Sequence, residues 1–121
     1  MKPFGYAAVQ KATVSGRDME RELLERITSK LKSARIDDPS GTAKLHEALR
    51  LNRKIWLTFA SDLASDKNPL PDEIKASIIS IAAFVERNTF AATKSQTVID
   101  CFVDINNAIM VGLTSPQESS V

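Results

Sequence analysis

The chain has 121 residues, 16 basic and 15 acidic side chains, one histidine, one cysteine and a formal net charge of +1 at pH 7. That length suits one core burying roughly 60 to 70% of the unfolded chain's surface. The lone Cys101 rules out an internal disulfide or a cysteine-built metal cluster, and the balanced charge rules out a broad basic field for nucleic acid or membrane surface.

The opening Met1-Lys2-Pro3-Phe4-Gly5-Tyr6 lacks the apolar run of a secretion signal, and no apolar stretch reaches the roughly 18 residues of a membrane span. A cytoplasmic protein without membrane insertion is expected. Only four glycines, few aromatics and many Ala, Leu, Ile, Glu, Lys and Arg residues favour helix, because such straight-chain side chains lose little rotamer freedom there.

The first helix is predicted from Ser15, whose hydroxyl can take an orphan amide, to about Arg35. Met19, Leu23, Leu24, Ile27, Leu31 and Ala34 recur at helical spacing, while Arg21, Glu22, Glu25 and Arg26 form the wet face. The seven or so residues from Phe4 can add a short helix across one end, anchored by Tyr6 and Val9. Asp37-Asp38-Pro39-Ser40-Gly41 is a turn, with Ser40 or Thr42 as cap of the next helix; so short a connection predicts antiparallel neighbours.

The second helix, Thr42 to Ser65, aligns Leu45, Ala48, Leu49, Asn52, Ile55, Trp56, Phe59 and Leu63, and Leu51 and Leu57 widen this apolar face. So broad a face is either central in a bundle or partly open to a partner. Pro71 suits the first turn of a third helix, Asp72 to Phe90, containing Ile74, Ile78, Ile79, Ile81, Ala82, Phe84 and Val85. Ser95 caps a fourth, with Val98, Ile99, Phe102, Ile105, Asn106, Ile109, Met110 and Leu113 inward and Asp100, Asp104 and Asn107 outward. The expected architecture is an all-α bundle of four main helices spanning 1–113, up-down-up-down by default, with a disordered tail over 114–121.

No constellation for chemistry emerges. His46 lacks the companions of a zinc site, and with Ser40 and Asp37 it lacks a nucleophile elbow. Asp37 and Asp38 read as turn carboxylates bonded to backbone amides, Cys101 reads as a small packing residue, and no phosphate loop or cofactor motif is present. No enzymatic activity and no cofactor are therefore expected. Arg50, Arg53 and Lys54 form a basic cluster on the second helix, but single-strand RNA binding would add an aromatic platform, so a solvated face or an acidic partner is the default.

Asn52 and Asn106 each interrupt an apolar stripe, where an unpartnered buried amide costs about 1 to 3 kcal/mol. Either they bond to each other or to helix ends and set helix register, or they face a groove and bond a bound segment, with Trp56 as its apolar anchor.

These residues also carry a resemblance. Leu45-x-x-Ala48-Leu49-x-x-Asn52-x-x-Ile55-Trp56-x-x-Phe59, then Asn68-x-Leu70-Pro71, Phe84-Val85, Ile105-Asn106 and Gly112-Leu113 resemble the FlaF family of flagellar biosynthesis regulators from alphaproteobacteria. The likeness runs from about Tyr6 to Leu113 and is less specific in its opening part, through Tyr6 and the Ser15 to Glu20 segment.

The resemblance implies a non-enzymatic factor for flagellin production and export, working alongside or against FlbT, a regulator acting on flagellin messenger RNA. On that footing an amphipathic terminal helix of flagellin is expected in a groove between the second, third and fourth helices. The candidate contacts are Leu51, Asn52, Trp56, Leu57, Ile79, Phe84 and Asn106. The alternative is a post-transcriptional regulator of flagellin synthesis, using Arg50, Arg53 and Lys54 on messenger RNA directly or acting through FlbT. A homodimer is another way of covering the same apolar surface.

Overall fold

The computed structural model describes residues 7–34, 36–65, 68 and 70–114, with side chains described between 20 and 111. Among them four helices form, α1 (Ala7–Ser33), α2 (Thr42–Ala64), α3 (Asp72–Ala92) and α4 (Gln96–Thr114), plus a 3-10 turn at Pro39–Gly41.

α1 starts earlier than its amphipathic stripe predicts. It is helical from Ala7, so Ser15 lies inside the helix and does not start it. Ala, Gln and Lys between Ala7 and Val14 favour helix, and Gly16 alone, costing about 1 kcal/mol against Ala, does not break it. Val9 belongs to this same helix rather than to a separate one, while Phe4, Tyr6 and the tail beyond Thr114 lie outside the described residues.

The turns follow local chemistry. Asp38 accepts from the Ser40 amide (3.0 Å) and hydroxyl (2.8 Å), and the Gly41 amide donates to the Asp38 carbonyl (2.9 Å), which folds the chain back after α1. Gly41, rather than Ser40 or Thr42, occupies the cap of α2, and no side chain bonds the helix start there; the Thr42 hydroxyl instead donates to the Pro39 carbonyl (3.3 Å).

Pro71 caps α3 from just outside it, its carbonyl accepting from the Ile74 (3.1 Å) and Lys75 (3.0 Å) amides, and Asp72 and Glu73 place negative charge on the first turn. α3 runs two residues past the expected Phe90, to Ala92. The Thr93 hydroxyl closes its end on the Phe90 carbonyl (2.7 Å). Ser95 caps α4 as expected, its hydroxyl accepting from the Val98 amide (3.3 Å).

Each helix runs against the next. Lys30 and Ser33 near the end of α1 share a groove with Ala43, Lys44 and Glu47 at the start of α2. Arg53 meets Glu86, and the Lys75 ammonium reaches the Ser65 carbonyl (3.5 Å), which sets α2 against α3. The ring closes between α4 and α1, where Gln96 Oε1 accepts from the Ile36 amide (3.4 Å) just past the end of α1. The order is up-down-up-down, with α2 and α4 diagonal and parallel.

The core takes Leu24, Ile27 and Leu31 from α1; Leu45, Leu49, Ile55, Trp56, Phe59 and Leu63 from α2; Ile78, Ala82 and Val85 from α3; and Ile99, Phe102 and Val103 from α4. Leu23, placed inward by its spacing, is exposed instead.

Candidate partner-binding surface

The centre of the bundle is polar and directional. The Trp56 indole can only donate, and it does so to Asn106 Oδ1 (2.9 Å). That turns the Asn106 amide nitrogen toward Asn52, whose Oδ1 accepts from it at 2.8 Å. One tryptophan thereby sets both amide orientations. Among the described residues Asn52 Nδ2, at the end of this relay, has no acceptor.

All three residues are 0% exposed, and the Phe59 ring stands edge-on to Trp56 with centroids 5.2 Å apart. Asn52, Trp56 and Asn106 are thus core residues that tie α2 to the diagonal α4, not a wall offered to a partner. Of the two readings of the asparagines, the structure has the mutual bond.

The remaining candidates are not brought into one groove between α2, α3 and α4. Leu51 is half-buried and opens between α1 and α2, in a groove of about 220 Å³ with Leu23, Ile27, Ile55 and Phe59, rimmed by Glu20, Lys54 and Thr58. Phe84 is half-buried and packs edge-on against Phe102 of α4 (6.2 Å, 88°).

Leu57 and Ile79 are open, 41% and 37% exposed. Leu57 lies one turn beyond Arg53, and Ile79 two turns before Glu86, so both fall on the side of the α2–α3 seam that this ion pair crosses.

Sequence reasoning missed the most exposed large apolar residue on that seam. Phe90, near the end of α3, is 72% exposed. It borders a groove of about 370 Å³ with His46, Leu49, Arg50 and Arg53 on α2 and Glu86, Thr89 and Thr93 across from them. The Lys94 ammonium stands 4.7 Å from its ring centroid. A usable signal was present, since Arg87, Phe90 and Lys94 follow one another at helical spacing.

The basic cluster does not assemble. Both nitrogens of the Arg50 fork bond Glu47 (2.9 and 2.8 Å), and Arg53 grips Glu86 in the same manner (2.9 and 2.7 Å). Hydrogen bonding to Arg50 holds the Glu47 carboxyl below its ordinary pKa, and the same contacts raise both guanidiniums further. Lys54 faces the other groove, between α1 and α2.

Elsewhere, the Ser40 hydroxyl is committed to Asp38 and, with the Ser40 amide, holds that carboxyl below its usual range. Cys101 is free and half-buried. Among the described residues no three His, Cys, Asp or Glu side chains gather as a metal site, and no helix is long and apolar enough to cross a membrane.

The features together define a class: a small antiparallel four-helix bundle, pinned by a buried Trp–Asn–Asn relay, with an apolar and charged seam left uncovered between α2 and α3. The chain belongs to the flagellar protein FlaF family, whose model matches residues 3–113, and its role is therefore a flagellar one. No curated protein and no solved structure matches the chain.

Proposed function

We propose that the protein is a non-enzymatic flagellar factor that binds flagellin in the cytoplasm. It covers an amphipathic helix that would otherwise polymerise, and so promotes flagellin production and secretion. The observation that carries this reading is the apolar surface left along α2 and α3, at Leu57, Ile79 and Phe90, outside a core already filled by all four helices. Exposed apolar surface of this kind on a flagellar protein suits the helix-in-groove mode, in which anchors at helical spacing enter a cleft.

Titration calorimetry with purified flagellin tests it. The expected result is saturable binding with a negative heat-capacity change from apolar burial. No heat or complex at tens of micromolar protein would sink the flagellin reading and leave regulation through FlbT. Direct messenger RNA binding is the weaker alternative, because Arg50 and Arg53 are already neutralised by Glu47 and Glu86.

A further inference from the structure

Within that reading, we propose that the end of the α2–α3 seam around Phe90 is the docking site, and that its occupant is an amphipathic helix carrying carboxylates beside its apolar stripe. Phe90 supplies the anchor: it is 72% exposed beside a groove of about 370 Å³ that Leu49 helps to line. Charge selects the occupant. Arg87 stands one turn before Phe90 on α3, Lys94 lies two residues past the end of that helix with its ammonium over the ring, and no acidic residue falls between them in the chain. Among the described residues neither is in an ion pair, and the Lys94 ammonium already lies over the ring. A carboxylate arriving with an apolar helix would pair with either cation while its apolar side chains meet Phe90 and the groove.

Two other occupants fit the same patch less well. A second copy packed isologously about Phe90 would bring two sets of Arg87 and Lys94 into one contact, gathering like charges around its two-fold axis. A nucleic-acid strand would meet Glu47 and Glu86, which neutralise both arginines along the seam, and a stacking base would have to displace Lys94 from the ring.

The test compares the full chain with Phe90→Ser, with Arg87→Glu/Lys94→Glu, and with Leu23→Ser in the α1–α2 groove, each titrated with purified flagellin at low and high salt. Phe90→Ser should weaken binding by about tenfold or more. The double charge reversal should weaken it comparably and flatten its salt dependence, and Leu23→Ser should bind as the parent does. All substituted side chains are exposed, and circular dichroism confirms each variant's fold; if Phe90→Ser does not fold, the charge-reversal pair alone decides.

Parent-like binding by both seam variants overturns the site and its acidic partner while leaving flagellin binding intact. Loss confined to Leu23→Ser does the same and moves the site to α1–α2. An absence of flagellin binding by the parent overturns the reading and the site together. Binding of a short oligouridylate that is lost in Phe90→Ser overturns the protein occupant, as does a dimer that Phe90→Ser dissociates in light scattering.

Discussion

Trp56 carries more structural information than any other side chain here, because its N–H is a donor that cannot be reversed. Asn106 must answer with oxygen and Asn52 must answer Asn106 in turn, so three residues on diagonal helices share one arrangement. Asn106→Leu keeps most of the volume but strands the indole N–H and Asn52 Oδ1, each orphan costing about 1 to 3 kcal/mol; the expected loss in a urea titration is about 2 to 6 kcal/mol. Adding Asn52→Leu removes one of the stranded groups, and the double variant should be more stable than Asn106→Leu alone. Additive losses in that cycle would mean that the pair is not coupled. Trp56 is the only tryptophan and is fully buried, so its emission should be blue-shifted in the folded protein and should move little when a partner covers the α2–α3 seam.

At the scale of elements, the ends of the helices differ in how they are held. α4 begins on a side-chain cap, and Ser95→Ala should cost about 1 kcal/mol, read as a lower denaturation midpoint with an unchanged slope. α2 begins on Gly41 with no side-chain cap, so Ser40→Ala acts on the preceding turn through Asp38 rather than on the helix start. Phe90→Ser should leave stability within about 0.5 kcal/mol of the parent, since the ring is mostly in water. A large loss in thermal unfolding would show instead that the ring supports the end of α3.

For the molecule as a whole, acid is the informative perturbation. The Glu47 and Asp38 carboxyls have folded pKa values below their ordinary ones, the first because Arg50 bonds it and the second because Ser40 does. A depressed folded pKa contributes stability that is fully present above the unfolded value and is lost as pH falls through the folded one. The urea midpoint should therefore hold from neutrality to about pH 5 and then decline. Both groups are solvent-facing and screened, so the contribution is small, and the check is comparative: Glu47→Gln/Asp38→Asn should show a shallower decline than the parent. An equally steep decline in that variant would assign the acid sensitivity to other carboxylates.

The sequence by itself determined the four helices and most of their inward faces. Leu45, Ala48, Leu49, Asn52, Ile55, Trp56, Phe59 and Leu63 are all buried as their spacing requires, because a period near 3.6 residues places them on one stripe that must leave water. It also marked Asn52 and Asn106 as polar breaks needing partners.

It misplaced the start of α1, because an amphipathic stripe reports where a helix packs, not where helicity begins. It did not locate the exposed surface either. Spacing decides which side chains share a face of one helix, but the closure of the ring decides which neighbour covers that face. Only the tertiary structure therefore joined Trp56 to Asn106 across the bundle, sent Leu51 into the α1–α2 groove while leaving Leu57 exposed, tied Arg53 to Glu86 across two helices, and left Phe90 in water beside Lys94.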